Sequence, residues 1–278
     1  MGDEQESFHK AVETGDLKTA SALLLANRAL ANSSDILDFT PLNKAPNRAM
    51  AELLLANGAD VNGGSEYLGT PLHSAAAKGR TDVVEFLLSH GAAVAAKVDG
   101  GRSPLHLATC KAVAEPLLAK GAPVDAKDES GHTPLYEAAD SGNIGMVELL
   151  LAHGANADVT GPRGKKDWAE GPLFGAVRRG SKDVAALLIA RGANVNAKNV
   201  SGTTPLHFAV SEGHREVAEL LLDSGADAGA KDDDGNTPLQ GARADDRLDM
   251  AELLRKRRRT KPAAQPGFFL RLFGRRQT

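Results

Sequence analysis

Ser201-Gly-Thr-Thr-Pro-Leu-His-Phe-Ala-Val-Ser-Glu-Gly-His-Arg-Glu-Val-Ala-Glu-Leu-Leu-Leu-Asp-Ser-Gly-Ala-Asp-Ala-Gly-Ala-Lys231 reads as two short helices in succession, each with its own start and stop. Thr204 is an N-cap residue, because its hydroxyl can accept from an orphan N–H of the first turn. Pro205 follows at the first helical position, where its missing N–H is not needed. Gly213 ends that helix, since glycine takes the left-handed conformation without strain. A second helix is expected from about Arg215 to Ser224, stopped by Gly225 for the same reason. Val217, Leu220, Leu221 and Leu222 give it an apolar side larger than one short helix can hide. Helices of about ten residues are marginal alone. The unit therefore needs copies of itself to stack on.

The copies are present. The Thr-Pro-Leu signal recurs, with changes at its first position, at Thr40, Thr70, Ser103, Thr133, Gly171, Thr204 and Thr237. The spacings are 30, 33, 30, 38, 33 and 33 residues. A leucine pair followed by Gly-Ala recurs in phase with it. A period near 33 with Thr-Pro-Leu-His resembles the ankyrin repeat, a turn plus two helices. The resemblance covers residues 5–257, about eight repeats including both caps, with a basic, aromatic tail at 258–278 expected to be flexible. It implies an all-α solenoid of stacked helix pairs with β-hairpin-like fingers, one continuous curved array whose family role is binding other macromolecules.

Composition agrees. Aromatic residues make up only 4% of the chain, as expected where Ala and Leu fill the space between close helices. A single cysteine, Cys110, excludes an intramolecular disulfide framework and fits a reducing compartment. The polar, acidic start shows no secretory signal, and no run reaches the ~18 apolar residues of a membrane span. The expected location is the cytoplasm, or the nucleus in a eukaryote.

Along the chain, residues 8–30 form the N-terminal cap. The second and fourth repeats are each three residues short, so their first helices, around residues 43–48 and 107–111, are expected to be clipped. The fourth also carries Pro116 inside its second helix, where it removes a hydrogen bond. Together these features mark a weak joint. Between the fifth and sixth repeats, Thr160-Gly-Pro-Arg-Gly-Lys-Lys-Asp-Trp-Ala-Glu170 makes one finger five residues longer than the norm. The eighth repeat is the C-terminal cap.

No catalytic constellation, cofactor site or metal site is legible. His73, His106 and His207 occupy the fourth position of the Thr-Pro-Leu-His signal, where Asn43, Tyr136, Phe174 and Gln240 stand in other copies. There an imidazole is expected to hydrogen-bond across neighbouring turns, not to do acid–base work. His90 and His153 sit at helix C-termini, where a cation is mildly favourable. Cys110 is expected to be a small core residue.

Binding must therefore use positions the fold does not need: finger tips and the exposed edges of first helices. The candidates are Tyr67, Arg102, His132, Lys165, Lys166, Trp168, Arg178 and Arg179, with Lys78 and Asp140 on the same helix edges. Trp168, the only tryptophan, lies in the only extended finger, and tryptophan is enriched at interface hot spots. Its competing reading is a staple that stiffens the insertion. The expected partner is another protein, held by a monomeric, non-enzymatic adaptor or scaffold.

Residues 255–278 hold nine Lys/Arg and no acid, leaving 24 cations against 36 anions, net −12, in the rest of the chain. Such asymmetry suggests an interaction tail. Arg257, Arg258 and Arg259 belong to a basic cluster, while Phe268, Phe269 and Phe273 would share one helical face. The second reading is thus a tail-driven adaptor to nucleic acid or an anionic membrane.

Overall fold

The computed structural model describes residues 2–65, 67–159, 170–244 and 246–259. They fall into two compact units that divide between Glu129 and Ser130. The division follows the repeat that carries Pro116.

The first unit contains four helix pairs among its described residues: α1 (Asp3–Thr14) with α2 (Leu17–Ala26), α3 (Pro41–Lys44) with α4 (Arg48–Ala56), α5 (Pro71–Ala77) with α6 (Thr81–Ser89), and α7 (Pro104–Leu107) with α8 (Lys111–Ala119). The second contains α9 (Pro134–Asp140) with α10 (Ile144–Ala152), α11 (Pro172–Arg179) with α12 (Lys182–Ala190), α13 (Pro205–Ser211) with α14 (Arg215–Asp223), and α15 (Pro238–Ala244) with α16 (Leu248–Arg259). Every first helix from α3 onward starts on the proline of its signal, as the missing N–H predicts. α3 and α7 are four residues long where α5, α9, α13 and α15 have seven, so the clipped helices stand where the shortened spacing puts them.

Packing is between neighbours. Within the first unit α1, α3, α5 and α7 pack in a row, as do α2, α4, α6 and α8; the second unit repeats this with α9, α11, α13 and α15. Val217, Leu220, Leu221 and Leu222 of α14 are all buried. Each such leucine contributes about 1.5–3 kcal/mol relative to an exposed one. This is the apolar side that a lone helix could not have hidden.

The fingers are closed turns rather than ladders. Among the described residues the one β-bridge joins Ser65 to Gly69. In four other fingers the N–H of the first residue reaches the carbonyl of the fifth, Asp35 to Phe39, Val98 to Arg102, Asn199 to Thr203 and Asp232 to Asn236, all at 3.0 Å, and the N–H of the fourth returns to the carbonyl of the first. The fourth residue of these turns has positive φ, supplied by Gly101, Gly202 and Gly235. In the second repeat Asp38 stands there instead, with φ 61°.

α16 runs to Arg259, so the basic cluster begins inside the last helix. Arg257 pairs with Asp223 on α14 at 2.5 Å. That arginine is part of the C-terminal cap.

Candidate partner-binding site

The histidines define what this surface cannot do. The N–H of Thr70 donates to His73 Nδ1 at 3.1 Å, with the Thr70 hydroxyl 3.0 Å from the same nitrogen. Ser103 with His106 and Thr204 with His207 repeat the arrangement. Because Nδ1 accepts, the proton sits on Nε2, which reaches into the next finger. His73 Nε2 lies 3.2 Å from the Arg102 carbonyl, and His207 Nε2 lies 3.2 Å from that of Asn236. Both ring nitrogens are committed.

Asn43 does the same work with an amide. Its Oδ1 accepts from the Thr40 hydroxyl at 2.6 Å and its Nδ2 donates to the Gly69 carbonyl at 3.1 Å. Gln240 Oε1 accepts the Thr237 N–H at 2.8 Å. The position requires an acceptor pointing back and a donor pointing forward, not a titrating group. Burial lowers the pKa of His73 and His207 below the ordinary value. His90 and His153 place Nδ1 against the carbonyls of Phe86 and Leu149 at 2.9 and 3.0 Å, closing their helix C-termini.

Phe174 and Tyr136 depart from this pattern, and a cluster is built around Tyr136. Thr133 Oγ1 caps the helix by accepting the Tyr136 N–H at 3.3 Å. The Tyr136 ring is buried and stacked on His132, with centroids 3.8 Å apart and planes 5° from parallel. Arg178 from α11 lies over the same ring, its guanidinium carbon 5.7 Å from the centroid, and donates through Nη2 to the phenol oxygen. That guanidinium also donates to Asp140 at 3.0 Å and lies 3.7 Å from Glu170. Glu170 in turn accepts from Asn199 Nδ2 at 3.1 Å. Burial, reinforced by the carboxylates of Glu170 and Asp140, pushes the Tyr136 pKa up to about 12 against the pull of Arg178. The phenol stays neutral at physiological pH.

α11 can bring Arg178 this close because Gly175 faces α9. A Cβ there would lie 3.0 Å from the Asp140 backbone nitrogen. The polar cluster lines a cavity of about 210 Å³ with His132, Tyr136, Glu170, Arg178, Asn199 and Val200 on its walls. On the other side of the Asn199–Thr203 finger lies a second cavity of about 350 Å³. Phe208, Pro238 and Ala244 give it an apolar lining, with His207 and Asp232 at its edge. Phe208 is held edge-on against Phe174 at 5.7 Å. Gly241 leaves the opposite wall open, with nothing within 4 Å of a Cβ built there. A rigid polar station thus flanks an apolar recess within one unit.

Of the residues singled out from sequence, His132 and Arg178 meet in this cluster. Arg179 is exposed in the last turn of α11. Tyr67 and Arg102 belong to the first unit: Tyr67 is 76% exposed on its finger, while the Arg102 carbonyl accepts from Val98 and faces His73. Lys165, Lys166, Trp168, Phe268, Phe269 and Phe273 lie outside the described residues, as do the side chains of Arg258 and Arg259. Cys110 corrects an expectation: it is exposed at the N-cap of α8 and not in the core. The clipping of α7 carries it out into the turn. Phe208 and its recess were missed. The available signal was the pattern Gly175, Phe208, Gly241, a large side chain between two absent ones at the same repeat position.

Comparison with known proteins agrees with this architecture. The ankyrin-repeats family profile matches three segments, residues 8–98, 93–161 and 173–264. The chain is 36% identical over 104 residues to inversin of Gallus gallus, covering 36% of this chain and 9% of that protein. It is 40% identical over 95 residues to an ankyrin repeat protein of Rickettsia felis, covering 32% of this chain and 42% of that one. A segment of 45 residues is 51% identical to an ankyrin repeat protein of Fowlpox virus, 16% of this chain and 7% of the relative. The matched regions thus span less than half the length of each of these relatives. With the recurring Pro-started helix pairs, the closed fingers and the matches along both units, the chain belongs to the ankyrin-repeat family.

Proposed function

We propose that this chain is a non-enzymatic adaptor or scaffold that holds a partner protein on the finger and first-helix side of its second unit. Ankyrin repeats are in general protein–protein interaction modules, typically without catalysis. The observation that carries the reading is the pairing, across one finger, of the Tyr136–Arg178 station with the Phe208 recess. Arg and Tyr anchors beside an apolar recess have the make-up of interface hot spots. Arg178 is already oriented by Asp140 and Glu170, so little side-chain entropy is lost when a partner acceptor reaches it. The extended finger with Trp168 adjoins Glu170 in sequence. The proposed compartment is the cytoplasm, in keeping with an exposed, unpaired Cys110.

The test uses the full chain. A partner captured by affinity is identified, and its Kd is measured against Arg178→Ala, Phe208→Ala and Trp168→Ala. Each substitution is expected to weaken binding about tenfold or more, with melting temperature nearly unchanged for Trp168. Full affinity in all three variants would discard the site. Loss of stability without loss of affinity in Trp168→Ala would make that side chain a staple.

A second reading is favoured by the charge split: the tail, with nine cations and no acid beyond residue 254, docks on nucleic acid or anionic lipid while the repeats carry cargo. Its test is set out in the Discussion.

A further inference from the structure

The finger of the second repeat is set apart by its tip. Its tip carries Ile36 and Leu37, 81% and 63% exposed, where the corresponding tips at Asp99-Gly100 and Asp233-Asp234 are polar. Like the Asn199 finger, where Asn199 Oδ1 accepts from the N–H groups of Ser201 and Thr203, it is braced by its first side chain. Asp35 Oδ1 accepts from the N–H of Leu37 at 2.8 Å and of Phe39 at 3.0 Å, and Asp38 is kept in the left-handed region that glycine fills elsewhere. Two large aliphatic side chains are thereby presented to solvent on a turn that cannot fold them away.

Behind this finger lies a cavity of about 320 Å³ bounded by Glu13, Asp35, Leu37, Phe39, Lys44, Lys78 and Arg80. Three cations face two carboxylates, and their pairing is unequal. Lys44 takes both acids, Glu13 at 2.6 Å and Asp35 at closer range, and its ammonium lies 5.9 Å from the Phe39 ring centroid. Arg80 Nη1 is spent on the carbonyls of Ala45 and Lys44, at 2.6 and 3.1 Å. The Lys78 ammonium makes no hydrogen bond or ion pair among the described residues. Burial, with the Arg80 and Lys44 charges nearby, lowers its pKa against the pull of Glu13.

We propose that this first-unit basin is a second docking site, for an acidic peptide segment of a protein partner whose carboxylate pairs with Lys78 while a neighbouring apolar side chain packs on Ile36 and Leu37. The uncompensated charge selects an anion. The aliphatic pair, offering neither aromatic faces for stacking bases nor donors for their edges, selects protein over nucleic acid. A prestiffened finger keeps the ordering cost of binding low. This site is separate from the one around Phe208, and each stands without the other.

Random dodecapeptides displayed on phage are selected on the full chain, and the enriched peptides are synthesised and titrated. The expected peptides carry Asp or Glu within a few residues of a large apolar side chain. Their Kd should weaken about tenfold in Lys78→Gln and again in Ile36→Ser/Leu37→Ser, recover in Lys78→Arg, and stay unchanged in Phe208→Ala. All the altered residues of the basin are exposed, and thermal melts check that the variants stay folded. Peptides without acids, or peptides indifferent to Lys78 and to the Ile36–Leu37 pair, overturn the proposal, as does a selection that enriches none. Displacement by a single-stranded oligonucleotide that depends on Lys78 but not on the aliphatic pair would overturn it in favour of a phosphate site.

Discussion

His73 and His207 bond through both ring nitrogens and sit in partly buried sites, which fixes how the protein responds to acid. Their pKa values lie below the ordinary 6.5, burial being the main cause. The unfolded chain therefore takes up these protons first. The stability they contribute is complete above pH 6.5 and is lost as pH falls through the lower folded-state values. A protonated Nδ1 would also point a donor at the Thr70 or Thr204 N–H. The melting temperature should accordingly drop between pH 7.5 and pH 5.5, a window in which the carboxylates do not yet titrate. Replacing both histidines with asparagine, the residue nature places at position 43, should flatten that dependence. His73→Ala should cost about 1–3 kcal/mol at neutral pH, since the Thr70 N–H loses its acceptor and the Arg102 carbonyl keeps only the Val98 N–H. Circular-dichroism melts across pH check the unaltered chain and both variants. An unchanged acid slope in the double asparagine variant would assign the acid sensitivity elsewhere.

Among the helices, α8 is the weakest by construction. Pro116 cannot donate to the Ala112 carbonyl, and it sits in the interior of a nine-residue helix. The N-cap adds nothing: Cys110 makes no side-chain cap bond, whereas Asn47 and Asn143 accept from Met50 and Met146 at 3.0 and 3.1 Å. α7 before it has one turn to pack against. In α14, by contrast, an uninterrupted backbone carries five buried side chains. Hydrogen exchange should thus find α8 less protected than α14, because nearest-neighbour stacking lets a local defect open locally. Cys110→Asn should raise stability by about 1 kcal/mol through a new cap, and Pro116→Leu by a further 1–2 kcal/mol or so. Equal exchange in the two helices would show that α8 is held by its neighbours despite both defects.

For the whole molecule, charge is the organising asymmetry. The nine cations of residues 255–278 face a remainder of net −12. Five of the nine lie within α16, and Arg257 is tied to Asp223, so cutting before residue 255 would damage the C-terminal cap. A cut after Arg259 removes Lys261, Arg271, Arg275 and Arg276 and leaves the helix whole. If the tail docks on anionic surfaces, full-length protein should bind phosphatidylserine vesicles or duplex DNA with an affinity that falls steeply from 50 to 200 mM salt. The truncated chain should then lose most of it. If instead the tail rests on the chain's own acidic surface, truncation should tighten partner binding at low salt. That gain should fade as the screening length shrinks below about 10 Å. Salt-independent binding that survives truncation would exclude both roles.

The repeat period, the proline starts, the glycine stops, the clipped α3 and α7 and the structural use of the Thr-Pro-Leu histidines were all legible in the amino-acid order. Each is a matter of backbone conformation or capping settled within a few residues, and the copies reinforce one another. The placement of side chains from different repeats was not legible. Arg178 meets Asp140 across 38 positions, the spacing of those two repeats, but reaches Tyr136 one helical turn further back, across 42. The Phe208 recess likewise exists through what Gly241 lacks one repeat away. Lys78 is distinctive only because Glu13 and Asp35, on other elements, are both taken by Lys44. Local signals decide which helices form. Which charges are left over, and which apolar surface stays open, is decided by the register in which those helices stack.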